Sequence, residues 1–253
     1  MKALIFDCDG VLADTEQFGH LPAFNRMFSE FNLPVQWSEA EYGEKLKIAG
    51  GKERILSLLT PSFIAQAGLP EDPDRLQELV MQWHRRKTEI YKEMVREGKL
   101  PGRPGVRRIV QEANEAGWKL GVASTSAVES VESVLHFALG DELAVLFTVC
   151  AGDMVPRKKP APDIYLLALE KMGLSAEEAL VVEDSRNGLL AATTANLRCV
   201  VTLSSYTWNE DMTEATLVVS DLGEPNQPAR VVRNPLQISI GDYITLQNLE
   251  ACF

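Results

Sequence analysis

The first apolar run of the chain, Ala3-Leu4-Ile5, is continuous and does not alternate with polar residues. A short run of this kind predicts a strand buried on both faces of a parallel sheet. Similar runs recur in the second half of the chain, where they alternate with stretches of helical periodicity. The predicted strands are 119–123, 147–151, 180–182, 199–203 and 217–219, and the predicted helices are 106–116, 127–137, 162–172 and 187–195. Repeated strand–helix units predict an α/β fold with a doubly wound, Rossmann-like parallel sheet.

Residues 15–96 have a helical pattern without a convincing strand. Apolar residues recur at helical spacing at Phe18, Leu21, Phe24, Met27 and Phe28. A second, longer helix is predicted from about 74 to 96. Because this stretch is too long for one crossover between parallel strands, we expect an inserted all-helical cap domain. Its predicted linkers are 12–15 and 98–102, and Gly and Pro in the second are typical of a hinge.

The pattern therefore divides the chain into a core, a cap and an extension. The core domain is predicted over 1–14 and 97–223, the cap domain over 15–96 and the C-terminal extension over 224–253. In the extension, 237–240 and 243–246 flank Gly241-Asp242, which predicts a β-hairpin.

Composition narrows the classes of partner. The net charge is −11, which argues against nucleic acid, since a phosphate backbone requires a basic footprint. No run of about 18 apolar residues is present, so no membrane span is expected. The four cysteines are scattered without a CxxC pair, which favours reduced thiols. We expect no targeting segment and a cytoplasmic monomer, or a protein of an organelle stroma if a transit peptide has been removed.

Two aspartates follow the first predicted strand. If the backbone stays extended, Asp7 and Asp9 point to the same side and Cys8 points away. Two such charges about 4 Å apart repel by roughly 4 kcal/mol at an effective dielectric of 20. A hard dication such as Mg²⁺ suits these oxygen ligands. The alternative, from these residues alone, is that Asp9-Gly10 only makes a turn.

Polar residues also follow three later strands, at the edge where open α/β sheets bind ligands. They are Ser124 and Thr125, the pair Lys158-Lys159, and Glu183 with Asp184. The segments DCDGV, the serine after KLGVA, KKPAPDIY and VVEDS resemble, in order, the four motifs of the haloacid dehalogenase superfamily. The position of the cap matches its helical-cap subgroup. GGKERI and AGDMV are similar to the CbbY-type sugar-bisphosphate phosphatases, with β-phosphoglucomutase a more distant relative.

The resemblance implies a Mg²⁺-dependent, two-step phosphoryl transfer. Asp7 is implied as the nucleophile and Asp9 as the acid and base. The implied metal ligands are the carboxylate of Asp7, the backbone carbonyl of Asp9, and Asp184, with Glu183 binding directly or through water. The implied phosphate contacts are Ser124, the N–H of Thr125 at a helix N-terminus, and Lys159. The alternatives are a helix N-cap for Ser124 and a solvated charge for Lys159.

The cap is expected to choose the substrate. Lys52 and Lys87 match cap positions that face the substrate in related proteins, and Glu16 matches a position that contacts sugar hydroxyls. Lys52, Arg54, Arg85, Arg86 and Lys87 form a basic set in an acidic protein, for which a solvated helix face is the alternative. His20 is a further candidate, although a lone histidine on an amphipathic helix is more often structural.

The expected function is hydrolysis of a small sugar phosphate, for which a pentulose bisphosphate such as xylulose 1,5-bisphosphate is the suggested substrate. A phosphosugar mutase of the β-phosphoglucomutase type is the alternative, because it shares every core residue named above. A dehalogenase uses one aspartate and no metal, so Asp9 argues against it. A non-catalytic protein is disfavoured because all the catalytic positions are filled.

Overall fold

The computed structural model describes residues 1–48, 50–97, 100 and 102–253. The chain forms two compact units, one of Met1–Asp14 with Pro101–Phe253 and the other of Thr15–Leu100. The C-terminal segment 224–253 belongs to the first unit. Most of the predicted second linker, residues 98, 99 and 101, lies outside the described residues.

The described residues form strands and helices, each class numbered in the order of the chain. The strands are β1 (Ala3–Phe6), β2 (Lys119–Ser124), β3 (Phe147–Ala151), β4 (Ala179–Glu183), β5 (Arg198–Thr202), β6 (Leu217–Val219) and β7 (Val231–Arg233). The helices are α1 (Leu21–Glu30), α2 (Glu39–Leu46), α3 (Gly51–Leu56), α4 (Pro61–Ala67), α5 (Pro73–Arg96), α6 (Val106–Glu115), α7 (Val128–Leu139), α8 (Asp141–Ala144), α9 (Asp163–Met172), α10 (Arg186–Thr194) and α11 (Leu246–Glu250). A π-helical turn covers Glu16–His20, and 3₁₀ turns cover Gly152–Met154 and Ala176–Glu178.

The strands of the first unit form one sheet in the order β3-β2-β1-β4-β5-β6-β7. The pairs from β3 to β6 are parallel, and β7 pairs antiparallel with β6. This confirms the predicted doubly wound parallel sheet. The chain runs from β1 outward through β2 and β3, then returns to β4 on the other side of β1. The carboxyl ends of β1, β2 and β4 therefore meet at the switch point, where such sheets bind ligands.

Both faces of the sheet are covered. One face packs on α9 and α10 in a single apolar cluster that includes Ile5, Val181 and Ile164. The residues that alternate with these along the strands, such as Leu4 and Val182, are also fully buried. Helices α6 and α7 lie against β2 and β3. Burial on both faces explains why the strands appear in the sequence as continuous apolar runs.

The second unit is helical in its described residues. Its centre is an aromatic cluster in which Phe24 and Phe28 of α1 pack edge-on against Trp37, with ring centroids 5.0 and 4.8 Å apart. Ser38 begins α2 with a capping box, in which its hydroxyl accepts from the N–H of Glu41. Phe18 lies in the π-helical turn and is 47% exposed. The sequence periodicity placed it with the core residues, but a π turn shifts the phase of the helix.

The predicted hairpin in the C-terminal segment is wrong. No strand covers 237–246; instead Thr245 caps α11, accepting from the N–H of Asn248 at 3.2 Å. A Thr-x-x-Asn capping pair commits the chain to a helix, which the alternation of apolar residues did not reveal. Ile244 and Leu249 are fully buried, so this segment packs onto the core. Across the described ranges, no helix is both long enough and apolar enough to cross a membrane.

Candidate active site

Asp7 continues β1 toward the switch point. Its backbone N–H donates to the carbonyl of Val182 in β4 at 2.9 Å, so the sheet fixes the start of this loop. The residue is 7% exposed. Gly10 follows with a φ of +84°, and the N–H of Leu12 closes the turn on the carbonyl of Cys8 at 3.0 Å. Glycine adopts this left-handed conformation without the steric cost that a Cβ brings.

Lys159 connects the carboxyl ends of three strands. Its Nζ atom donates to Oδ1 of Asp7 at 2.6 Å, to Oε1 of Glu183 at 2.6 Å and to the carbonyl of Ala123 at 2.8 Å. An ammonium group has three protons, and these acceptors use all of them. Burial by itself lowers the pKa of Lys159, but the two carboxylates raise it above its ordinary value. A residue 6% exposed is not the solvated charge considered above.

Three buried acids surround this lysine. Asp7, Glu183 and Asp184 each offer one oxygen within 4.8 Å of the others. Burial, with Glu183 nearby, raises the pKa of Asp7 to about 8 and that of Asp184 well above its ordinary value. Both pKa values rise because the three clustered carboxylates outnumber the ammonium group of Lys159, so the charged form of each acid is disfavoured. The cluster therefore favours an added positive charge, either protons or a cation.

The donor set fits a hard divalent cation such as Mg²⁺, which prefers carboxylate oxygens. The backbone makes room for it at Gly10, where a Cβ would lie 2.1 Å from Oδ2 of Asp184. Any side chain at that position would collide with the carboxylate. Gly10 therefore allows Asp184 to reach the loop after β1.

The other phosphate-binding candidates, Ser124 and Thr125, lie at the carboxyl end of β2 and at the start of the loop that follows it. Asp9 accepts from the hydroxyl of Ser126 at 2.5 Å, a contact the sequence did not predict. Ser124 is buried, and its Oγ accepts from the N–H of Ser126 at 3.1 Å. Helix α7 begins at Val128 with Ala127 at its cap position. Ser124 is therefore not an N-cap, and Thr125 precedes the helix instead of lying in its first turn.

The three candidates in the second unit have different surroundings. Glu16 accepts from the Tyr42 hydroxyl and lies 3.4 Å from Arg54. Lys52 is half-buried in α3. Lys87 is 6% exposed, with Nζ 2.7 Å from Nδ1 of His20.

The basic run on α5 separates into a buried and a solvated part. The Nζ of Lys87 also lies 4.5 Å from the centroid of the Phe24 ring, in a cation–π contact. Its neighbour Arg86 forms ion pairs with Glu30 at 2.6 Å and with Glu89 at 3.2 Å. The solvated-face interpretation therefore suits Arg86 and not Lys87.

Sequence reasoning missed two further residues around the acids, Tyr165 and Arg103. Tyr165 of α9 donates its hydroxyl to Glu183, and the only signal was its place in the KKPAPDIY segment. Arg103 donates to the carbonyls of Leu203 at 2.8 Å and Ser220 at 2.5 Å. Burial lowers the pKa of Arg103, while Asp184 opposes that effect. Nothing in the sequence distinguishes this arginine from a surface one.

The sequence of the chain matches a known protein family and several known proteins. Residues 1–196 match the haloacid dehalogenase-like hydrolase family. The chain belongs to this family. A CBBY-like protein of Arabidopsis thaliana is 43% identical over 228 residues, which is 88% of this chain and 70% of that protein. A phosphorylated carbohydrates phosphatase of Thermotoga maritima is 32% identical over 201 residues, which is 78% of this chain and 82% of that protein. Together these matches confirm the sequence-based identification of a haloacid dehalogenase-type phosphatase similar to CbbY.

Two solved structures support the same relationship. A mutant CbbY from Rhodobacter sphaeroides, crystallised with xylulose 1,5-bisphosphate, is 38% identical with a TM-score of 0.77, covering 87% of this chain and 94% of that one. A putative β-phosphoglucomutase from Thermotoga maritima is 26% identical with a TM-score of 0.63, over the same shares.

Proposed function

We propose that the protein is a Mg²⁺-dependent phosphatase that hydrolyses a small sugar phosphate through an aspartyl-phosphate on Asp7. The observation that supports this most strongly is the buried cluster of Asp7, Lys159, Glu183 and Asp184 at the switch point of the sheet. Such an arrangement of charge is costly to bury unless a ligand or metal uses it.

In the first step, an oxygen of Asp7 attacks phosphorus and forms a new O–P bond. The bond between phosphorus and the sugar oxygen breaks, and Asp9 gives its proton to that oxygen. Lys159 holds Oδ1 of Asp7, which leaves the other carboxylate oxygen for the attack. Ser126 orients the Asp9 carboxyl through its hydroxyl.

In the second step, the Asp9 carboxylate takes a proton from a water molecule. That water attacks the phosphorus of the acyl phosphate, and the bond between phosphorus and Asp7 breaks. Inorganic phosphate leaves and Asp7 is restored. Ser124, Thr125 and Lys159 are the proposed contacts for the phosphate oxygens.

The proposed Mg²⁺ ligands are the carboxylates of Asp7 and Asp184 and the backbone carbonyl of Asp9, with Glu183 binding directly or through water. When bound, the ion would neutralise the phosphate and the excess of buried carboxylates. Because the pKa values of Asp7 and Asp184 are raised, protons should compete with Mg²⁺ for these two carboxylates.

A pentulose bisphosphate such as xylulose 1,5-bisphosphate is the proposed substrate. The bisphosphate bound by the related CbbY supports this choice. In the proposal, Glu16 contacts sugar hydroxyls, and Lys52 and Lys87 supply positive charge for a second phosphate.

The test is phosphate release from a panel of pentose and hexose mono- and bisphosphates, with Mg²⁺ and with a chelator. We expect Mg²⁺-dependent release, fastest with a bisphosphate, and loss of turnover in Asp7→Asn. Release without metal, or full turnover by that variant, would exclude the proposed mechanism.

A phosphosugar mutase is the second candidate, favoured by the similarity to the putative β-phosphoglucomutase. It would use the same core residues but return the phosphoryl group to a sugar instead of to water. The assay is conversion of a glucose phosphate primed with a glucose bisphosphate, following the isomerised product. Free phosphate without isomerised product favours the phosphatase.

A further inference from the structure

The hydroxyl of Tyr165 is a buried polar group that the steps above do not use. Tyr165 lies on α9 and is 0% exposed. Its hydroxyl donates to Oε1 of Glu183 at 2.5 Å. The same oxygen accepts from Nζ of Lys159 at 2.6 Å. Tyr165 and Lys159 therefore share one acceptor atom.

The second oxygen of Glu183 is also engaged by the chain. Oε2 accepts from the backbone N–H of Asp184 at 3.1 Å and lies 3.5 Å from the hydroxyl of Ser185. Donors thus approach the carboxylate from both sides, which fixes its plane. A buried carboxylate held from both sides has little freedom to rotate, so it fixes the positions of the groups that donate to it.

We propose that Tyr165 is a positioning residue that acts through Glu183 to hold Lys159 against Asp7. The proposal deepens the function proposed above and rests on Asp7 being the nucleophile. Lys159 is divided between Asp7 and Glu183 at 2.6 Å from each. The Tyr165 hydroxyl reduces the hydrogen-bonding capacity that Glu183 has left for the lysine, and so favours the contact with Asp7.

Removal of the hydroxyl changes that balance. Oε1 of Glu183 would then accept from Lys159 alone, and the carboxylate could rotate toward the lysine. The ammonium would move away from Asp7, where it neutralises charge during phosphoryl transfer. Because the change concerns charge at the reacting group, it should reduce kcat more than it alters KM.

Helix α10 leaves space for the same carboxylate. A Cβ on Gly188 would lie 1.9 Å from Cδ of Glu183 and 2.0 Å from its Oε1. Gly188→Ala should therefore displace Glu183 through a steric clash instead of through the loss of a hydrogen bond. This gives a second, independent way to move the carboxylate without changing Tyr165.

The experiment compares Tyr165→Phe with Tyr243→Phe, Glu183→Gln and the double variant Y165F/E183Q. Tyr243, in the C-terminal segment, is the matched control. Its ring contacts the guanidinium of Arg108, whose Cζ lies 4.6 Å from the ring centroid, instead of one of the clustered acids. We expect Y165F to lower kcat about tenfold with KM within about twofold, the range typical of residues that orient catalytic groups. We expect no further loss when Y165F is added to E183Q.

An unchanged kcat in Y165F, or an equal loss in the E183Q background, would overturn the proposal. If Y165F fails to fold in a thermal melt, Gly188→Ala takes its place as a second way to displace Glu183. A lower kcat with KM within about twofold supports the proposal, and an unchanged kcat overturns it. If the wild type turns over no sugar phosphate, the proposed function fails and a separate measurement decides the role of Tyr165. That measurement is binding of inorganic phosphate with Mg²⁺ by calorimetry. Weaker binding in Y165F than in Y243F supports the positioning role, and equal binding contradicts it.

Discussion

Nζ of Lys159 lies 2.6 Å from Oδ1 of Asp7, although 152 residues separate them in the chain. The parallel sheet makes this contact, because it brings the loops after β1 and β3 to one edge. The adjacent Lys158 lies 3.7 Å from Asp153, and its side chain is 23% exposed compared with 7% for Lys159. Both neighbouring lysines therefore lie beside a carboxylate, but only Lys159 is buried and in close contact with it.

Lys159→Met should lower kcat for the best sugar phosphate at least about 100-fold, because it removes the cation beside the nucleophile. Lys158→Met is the matched control and should retain kcat within about twofold. Steady-state kinetics on both variants, with a thermal melt to verify folding, makes the comparison. Equal activity of the two variants would contradict the assignment of Lys159.

How much of this site the sequence could predict depends on the kind of contact. Lys159 was distinguished from Lys158 only by the resemblance to the haloacid dehalogenase motifs. Its meeting with Asp7, Glu183 and Asp184 was predicted, because these residues lie at or after strand ends and parallel strands share a carboxyl edge. The bond from Tyr165 to Glu183 was not, since it depends on how α9 is rotated against the sheet. Apolar periodicity identifies the buried face of a helix but not which hydroxyl on that face has a partner.

The C-terminal segment shows a different limit. Its alternation predicted a hairpin, but the local capping pair at Thr245 and Asn248 starts a helix. An alternating pattern is a weak guide where the chain packs onto an existing core, because the tertiary contacts override the local preference. The buried Lys87 is a similar case, since only the resemblance to related caps, and not the helical pattern, distinguished it from the ion-paired Arg86.

Gly10→Ala should weaken Mg²⁺ binding at least about tenfold, since the new Cβ would lie 2.1 Å from Oδ2 of Asp184. Gly117→Ala is the matched control, with a φ of +73° and no atom within 4 Å of the added Cβ. Both changes strain a left-handed residue by roughly 1–2 kcal/mol, but only the first displaces a carboxylate. Calorimetric Mg²⁺ titration separates the effects, and equal affinities for the two variants would refute the argument.

Stability without metal should fall as the pH rises from 6 to 8. Burial raises the pKa of Asp7 from 3.8 to about 8, so between these values the folded protein retains a proton that the unfolded chain has lost. The folded state then binds more protons, and the free energy of unfolding decreases with pH by at most about 1.4 kcal/mol per unit for one group. The raised pKa of Asp184 acts in the same direction.

The measurement is the denaturation midpoint in a chelator at pH 6, 7 and 8. Asp7→Asn removes the titrating group and should flatten the slope, while Mg²⁺ should restore the wild-type midpoint most at pH 8. A wild-type slope that equals that of the asparagine variant would mean that Asp7 ionises normally.

The C-terminal segment should stabilise the core without affecting catalysis. Its last residues meet the amino ends of the strands, opposite to the candidate site: Lys2, just before β1, pairs with Glu250 at 2.6 Å and lies 5.1 Å from the centroid of the Phe253 ring. That ring packs edge-on against Trp118, which precedes β2, at 5.5 Å. Ile244, earlier in the same segment, is fully buried, and its N–H donates to the carbonyl of Leu222, beyond the carboxyl end of β6, at 2.9 Å.

Ile244→Ala should therefore lower the free energy of unfolding by about 2–4 kcal/mol through the cavity it leaves. Leu236→Ala, in the same segment but 50% exposed, should change it by less than about 0.5 kcal/mol. Urea unfolding measures both, and kcat/KM should stay within about twofold of wild type at a temperature where each variant is folded. A large loss of kcat/KM in folded Ile244→Ala would contradict a purely structural role for the segment.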